Sequence, residues 1–301
     1  MSKLRTFEQA LREAADELAA AGVPEAELNA RYLLEEVTGR DHAWFLLHGA
    51  ESLPEDQSTQ YDTLVEHRKK RVPLEYLIHR AEFMGLSFYV DGRVLIPRQD
   101  TECLVEEALK YADGADILDM CTGSGCIAVS LAVLGKPKSV TASDISVEAL
   151  AVAGENAKRN DAAQLNDEDI AWRDAEDAGK PHHTSVEFIH SNLYESITGS
   201  YDLITCNPPY IRRDVIPTLM PEVQEYEPVL ALDGGEDGLD LYRRIVGECG
   251  AFLRQNGHLI CEIGYDQGEA VAALMREAGL ADVQVKQDLA GLNRIVIGRK
   301  E

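Results

Sequence analysis

No apolar run in this 301-residue sequence approaches the ~18 residues that a membrane-spanning helix needs. The start, Met1-Ser2-Lys3-Leu4-Arg5, passes straight into a helical pattern without the apolar region of a signal peptide. The expected compartment is therefore the cytoplasm, with no membrane partner. Paired cysteines are also missing. Cys103, Cys121, Cys126, Cys206, Cys249 and Cys261 form no CxxC pair and no zinc spacing, and most sit in apolar segments as buried free thiols do. A disulfide framework is not expected in a chain of this size. His182-His183 with His190 has no carboxylate or thiolate at ligand spacing, so a polar loop is expected and no metal. Positive charge is scarce, with 29 Lys and Arg against 53 Asp and Glu and a formal net charge of -24. Such a surface repels a phosphate backbone and attracts a basic protein, so no direct nucleic-acid partner is expected. The basic cluster Arg68-Lys69-Lys70-Arg71 reads as a solvated helix end whose cations suit the helix dipole, with an anion site as the alternative.

The chain is long enough for one large or two medium domains, and its 45% apolar content suits a packed core. Up to about residue 80 the pattern is helical only. Phe7, Leu11, Ala14, Ala15 and Leu18 repeat at helical spacing until Gly22-Val23-Pro24. Leu28, Tyr32, Leu33 and Val37 mark a second helix ended by Gly39, and Ala43 to Leu47 a third. A fourth runs from about Glu55 to Arg71 with Tyr61, Leu64 and Val65 inward, and Pro73 begins a last turn. This is a small helical bundle (1–80) without a catalytic cluster, suited to substrate recognition. Residues 81–99 change to strand character, and Asp91-Gly92 between apolar runs signals a hairpin that links the bundle to the remainder of the chain. Asp100 is then expected to cap a helix with Leu104, Val105, Ala108 and Leu109 inward.

From 100 to 301 strands and helices alternate, as in a doubly wound parallel sheet. Strands are expected at Ile117–Met120, Ser139–Ser143, Val186–His190, Tyr201–Cys206 and His258–Ile263, with a closing antiparallel pair at Val283–Val285 and Arg294–Ile297. The acidic stretch Asp161 to Gly179 reads as a surface insertion.

Four features carry chemistry. Cys121-Thr122-Gly123-Ser124-Gly125 follows the first of these strands, at the end where open α/β sheets bind ligands. It lacks the third glycine of a dinucleotide loop and the Gly-Lys-Ser/Thr of a P-loop, and a simple tight turn is the other reading. Asp144 ends the second strand, nineteen positions after Gly125, where an acid takes hydrogen bonds from both ribose hydroxyls of an adenosine or caps the next helix. Ser191-Asn192-Leu193 follows the third strand, as a polar loop or as contacts to an adenine.

The fourth feature is Asn207-Pro208-Pro209-Tyr210, directly after the fourth strand. Successive prolines force an extended backbone and remove two amide donors. The Asn207 side-chain oxygen and the Pro208 carbonyl can then point together at a planar NH2 group, with Tyr210 stacked on it. Two acceptors gripping the hydrogens of a delocalised nitrogen favour the charge that develops there during attack. The motif alone leaves open whether that nitrogen belongs to glutamine or to adenine.

At these residues the sequence resembles the class I S-adenosylmethionine-dependent methyltransferases, and more narrowly the HemK/PrmC family of protein-glutamine N5-methyltransferases. The resemblance spans the helical start, Leu95-Ile96-Pro97-Arg98-Gln99-Asp100-Thr101-Glu102, the glycine loop, Asn207 to Tyr210, Glu227-Pro228, and Leu230 to Leu239. It implies a Rossmann-like, seven-stranded, mostly parallel sheet after a helical bundle and a β-hairpin. It implies S-adenosyl-L-methionine as cofactor, with S-adenosyl-L-homocysteine as product. Cys121 to Gly125 would cradle its methionine part, Asp144 its ribose, and Asn192-Leu193 its adenine, with Asn207 reaching the cofactor as well. Asn207, Pro208, Pro209 and Tyr210 would bind the glutamine of a Gly-Gly-Gln tripeptide in class I peptide chain release factors, with Asn207, Pro208 and Tyr210 catalytic. A monomer is expected. Rival substrates are a ribosomal protein and, disfavoured by the net charge of -24, adenine in DNA. The family usually has glycine where Cys121 stands and aspartate where Asn192 stands.

Overall fold

The structure is a computed structural model that describes residues 5–162 and 184–301. His182-His183 and most of the acidic stretch lie outside the described residues. The chain forms two compact units, one taking in the residues up to Arg80 together with Met220–Tyr226, the other Ala81–Leu219 and Glu227–Glu301.

The first unit holds helices Phe7–Ala20, Ala26–Thr38, His42–His48, Glu55–Lys69 and Leu74–Ile78, and a short one at Pro221–Tyr226. The first begins where Thr6 and Gln9 form a reciprocal capping box, Thr6 Oγ1 accepting from Gln9 N at 3.2 Å and Gln9 Oε1 from Thr6 N at 2.9 Å. Leu18, Leu33, Leu34, Leu53 and Tyr61 are fully buried in its core. The Tyr61 hydroxyl is satisfied by the Ala30 carbonyl at 2.9 Å.

The basic cluster divides between its two readings, with Lys69 in the last turn of its helix and Arg68 and Arg71 holding an anion. Arg68 is only 4% exposed, because it continues the inward stripe of Tyr61 and Val65. Its guanidinium donates to Asn29 Oδ1, the Val72 carbonyl and Glu222 Oε1, and Arg71 binds both Glu222 oxygens at 2.6 Å. Thus the anion these arginines hold is a carboxylate 154 positions from Arg68 in the same chain.

Burial alone would raise the Glu222 carboxyl, but the Arg71 and Arg68 hydrogen bonds outweigh it and hold the group below its ordinary value of 4.5. A folded-state value below the unfolded one contributes stability that is present above pH 4.5 and lost as pH falls through the folded value. Glu222→Ala is expected to cost about 2–3 kcal/mol, below the usual loss for a broken buried pair because Arg68 keeps Asn29 and Val72. Urea denaturation at pH 7 measures this cost. The same series at lower pH should show the variant losing less stability on acidification than the parent.

The second unit opens with a hairpin of β1 (Ala81–Phe83) and β2 (Leu86–Phe88). Its turn is Met84-Gly85, not the expected Asp91-Gly92. Both turn residues have positive φ, 52° and 73°, which matches the right-handed strand twist in a two-residue turn. At Asp91-Gly92 the chain does turn, with Val94 N bonding Asp91 O at 3.1 Å, but the Asp91 carboxylate is taken by Arg93 and no strands flank it.

Asp100 does not cap the next helix. A 3-10 turn at Gln99–Thr101 runs directly into the helix Glu102–Ala108, so Asp100 lies inside helical backbone and instead pairs with Arg294 at 3.0 Å. Leu104, Val105 and Ala108 are buried as expected, and Leu109 packs against the same core.

A seven-stranded sheet follows, of β3 (Asp116–Met120), β4 (Ser139–Asp144), β5 (Val186–His190), β6 (Tyr201–Cys206), β7 (Leu253–Glu262), β8 (Leu280–Gln287) and β9 (Asn293–Lys300). Its order is β5-β4-β3-β6-β7-β9-β8. The pairs among β3 to β7 are parallel, and β9 runs antiparallel to both β7 and β8. This is the expected mostly parallel α/β architecture. Successive strand residues alternate between two cores. Ile117, Leu203, Ile260 and Ile297 join one, while Leu118, Ile204, Leu259 and Val296 join the other. Both faces of the sheet are therefore buried at its centre. The chain moves outward from β3 through β4 to β5 and returns to β3's other side as β6, which places the topological switch between β3 and β6. Among the described residues no helix is long and apolar enough to cross a membrane.

Candidate active site

A cavity opens at the carboxyl ends of β3, β4, β5 and β6, the place where sheets of this topology bind ligands. Its walls include Cys121, Thr122, Gly123, Ser124, Asp144, Asn192, Leu193, Asn207 and Pro209. Gly125, Pro208 and Tyr210 are not among its lining residues.

The loop after β3 is tied down from below. Asp119, fully buried, accepts from Thr122 Oγ1 at 2.6 Å and from Thr205 Oγ1 at 2.8 Å, joining the ends of β3 and β6. Burial raises its pKa to about 7 despite those two hydroxyls. Cys121 has φ 56°, a left-handed conformation that glycine enters freely and a larger residue only at a cost. The family's usual glycine at this position has that physical reason.

Asp144 is not the helix cap. Ser146 is the N-cap of the helix Val147–Arg159 and receives Ala149 N at 3.0 Å. The Asp144 carboxylate instead accepts from Gly123 N and Ser146 N, each at 2.9 Å, which fixes the glycine loop against β4. Burial raises its pKa, while the Ser146 and Gly123 amides pull it down.

After β5, the Ser191 hydroxyl donates to Leu193 O at 2.7 Å and accepts from Ser196 N at 2.9 Å, holding Leu193 at φ 54°. The Asn192 side chain is engaged on both ends, with Nδ2 on Glu195 at 2.7 Å and Oδ1 accepting from Arg244 at 3.1 Å. It borders the cavity while its polar atoms serve the surface.

At the end of β6, Asn207 Nδ2 donates to Thr101 Oγ1 at 3.3 Å, so the amide oxygen is the end turned away from that contact. The backbone of Tyr210 is clamped by the glycine-rich segment. Ile211 N bonds Leu232 O at 3.0 Å, Gly234 N bonds Ile211 O at 2.8 Å, and Gln267 Nε2 bridges Tyr210 O at 3.0 Å and Gly238 O at 3.2 Å. A side chain at Gly238 would collide with Tyr210 O, in a backbone with φ +76°. Gly238→Ala is expected to cost about 2–3 kcal/mol of stability through left-handed strain and overpacking, and to displace Tyr210. Thermal unfolding and transfer rate check both.

The two segments that carry the resemblance beyond this motif meet here. Arg98 lines the cavity and pairs with Glu227, which is only 4% exposed. Residues that sequence reasoning missed are Asp119, Thr101, Glu262 and Gln267. Glu262 gave a signal, since a carboxylate directly after the apolar run Leu259-Ile260-Cys261 is unusual. Among the described residues no group of three or more His, Cys, Asp or Glu is placed to hold a metal.

Comparison with known proteins adds the lineage. A family model described as the PrmC N-terminal domain matches residues 9–78, and one described as ribosomal protein L11 methyltransferase (PrmA) matches residues 102–225. The chain is 40% identical to a release factor glutamine methyltransferase of Cereibacter sphaeroides, covering 96% of this chain and 97% of that one. It is 38% identical to the Geobacter sulfurreducens protein of the same name, over 94% of this chain and 92% of that one. The crystal structure of a methyltransferase from Pyrococcus furiosus shares the fold at 16% identity, with a TM-score of 0.52, over 72% of this chain and 90% of that one. The chain belongs to the release factor glutamine methyltransferase family.

Proposed function

We propose that the chain transfers the methyl group of S-adenosyl-L-methionine to the side-chain amide nitrogen, N5, of the glutamine in the Gly-Gly-Gln tripeptide of class I peptide chain release factors. The observation that carries this reading is the position of Asn207, whose amide borders the same cavity as the Cys121–Ser124 loop and Asp144. An acceptor grip and a nucleoside grip therefore share one space.

The residues present fit the cofactor. A half-buried carboxylate at the end of β4 suits a pair of ribose hydroxyls, and its two amide contacts leave it further acceptor capacity. Leu193, Ile145 and Leu241 offer apolar walls to a purine, and the Cys121–Ser124 backbone lines the rest. When bound, S-adenosyl-L-methionine supplies an electrophilic sulfonium methyl. Asn207 Oδ1 and the Pro208 carbonyl accept the two hydrogens of the glutamine amide and orient its nitrogen, and Tyr210 packs against its plane. The amide nitrogen gains the methyl and releases one proton to solvent, so no dedicated base is required. Positioning and preorganised acceptors supply the rate.

The helical unit takes the body of the release factor, which a family match over residues 9–78 supports. Relatives named release factor glutamine methyltransferase, matched over 94% and 96% of this chain, favour a release factor over a ribosomal protein. A net charge of -24 disfavours DNA. Incubation with radiolabelled cofactor and either a purified class I release factor or duplex DNA tests the reading. Label is expected in the release factor only, and label in the DNA alone would overturn it.

A further inference from the structure

Glu262 ends β7 on the side of the sheet where the cavity opens, yet it is not one of the cavity's lining residues. It is only 1% exposed. A buried carboxyl costs free energy unless its surroundings use it. One of its oxygens accepts from the Tyr210 hydroxyl at 3.3 Å, and the other, Oε2, is buried without a hydrogen-bond partner. Its backbone carbonyl is separately fixed by the Tyr242 hydroxyl at 2.6 Å.

The surroundings point toward the acceptor motif from both ends. Burial raises the Glu262 pKa to about 7, and among the groups that pull it back are the Thr101 hydroxyl, the Arg294 charge and the Tyr210 hydroxyl. Thr101, itself 3% exposed, is the residue whose oxygen holds the Asn207 amide at 3.3 Å. Arg294 is in turn occupied by Asp100 at 3.0 Å and Asp288 at 3.1 Å, so it balances Glu262 without forming a direct pair. Tyr210 keeps its proton, because burial raises its hydroxyl well above the ordinary tyrosine value, and so it remains a donor to Glu262.

We propose that Glu262 is a positioning residue for the methyl-accepting motif, its buried carboxyl holding Tyr210 at one end of the motif while Thr101 holds Asn207 at the other. The inference rests on the proposed function only for what the motif grips, because the contacts themselves belong to the protein without substrate. Four residues of rigid chain from Asn207 to Tyr210 are thereby held by Thr101 at one end and by a side chain from the neighbouring strand at the other. Prolines set the shape of this segment, and Glu262 sets its place.

The test uses the full chain and two readouts. In nitrogen-labelled protein the side-chain amide resonances of Asn207 are assigned by their loss in Asn207→Ala. They are expected to shift in Glu262→Ala and in Thr101→Val, and to stay near the parent positions in Glu262→Gln, which keeps an acceptor for Tyr210. Unchanged Asn207 resonances in a folded Glu262→Ala protein overturn the proposal. In kinetics with a release factor, Glu262→Ala should lower kcat by roughly tenfold to a hundredfold, the size of effect expected from losing orientation alone. Cofactor affinity should be retained, and adding Tyr210→Phe should lower the rate by less than the product of the two single effects. Multiplicative effects, or equal losses in cofactor binding and kcat, contradict the positioning role. If the parent transfers nothing to a release factor, the proposed function fails, while the resonance readout still judges Glu262.

Discussion

Asn207→Ala is expected to lower kcat for methyl transfer by about a thousandfold, the range seen when one preorganised electrostatic contact to a reacting group is removed. The reason is the nature of the nucleophile. An amide nitrogen shares its lone pair with the carbonyl, and attack becomes favourable only as positive charge on nitrogen is met by acceptors already in place. In the proposed function Asn207 supplies one of two such acceptors, its Nδ2 end being committed to Thr101 at 3.3 Å. The variant should fold, since Asn207 is only half-buried and closes no core contact. Cofactor affinity, read by isothermal titration, should change by less than about tenfold, because the proposed reading assigns most of the ligand to Asp144 and the loop after β3. Equal losses in kcat and in cofactor binding would show that Asn207 serves the cofactor instead. Steady-state kinetics at saturating cofactor separate the two.

Asp144→Ala is expected to have the opposite signature, weakening cofactor binding by about a thousandfold. Two hydrogen bonds to a charged acceptor contribute ~2 kcal/mol each, and ~4 kcal/mol corresponds to that factor. A second loss accompanies the first. Gly123 N and Ser146 N, each 2.9 Å from the carboxylate, lose their partner, so the glycine loop is released from β4. Asp144→Asn should recover part of the affinity, because it keeps an acceptor oxygen for one of these amides. Transfer measured at saturating cofactor should fall far less than affinity, and a collapse of kcat at saturation would contradict a binding role. Calorimetry on the parent and both variants gives the comparison.

These two residues were legible in the sequence for a shared reason. Strand ends in a parallel sheet face the ligand crevice, and β4 and β6 are short β-prone segments, the first ending in Asp144 and the second followed directly by Asn207. The alternation of Ile117, Leu203 and Ile260 with Leu118, Ile204 and Leu259 between two cores likewise follows from strand periodicity. What the sequence hid is contact between distant segments. Periodicity places Arg68 on the inward stripe with Tyr61 and Val65, yet nothing local names Glu222 as its partner. Glu262 and Thr101 sit in unrelated segments, and only the tertiary fold brings both to the acceptor motif.

Two local readings failed because a stronger composition signal masked the real one. Asp-Gly is a common hairpin turn, but here the Asp91 carboxylate is bound by Arg93 and the Met84-Gly85 pair turns the strands. Aspartate before a helix commonly caps it, but the 3-10 turn at Gln99–Thr101 leaves Asp100 no non-helical position from which to do so.

The central claim is the identity of the methylated atom. A purified class I release factor is incubated with the chain and S-adenosyl-L-methionine, digested, and the Gly-Gly-Gln peptide sequenced by tandem mass spectrometry. A single methyl on the glutamine side-chain amide is predicted, together with its absence when that glutamine is replaced by glutamate. A methyl on any other residue, or undiminished transfer to the glutamate form, would contradict it.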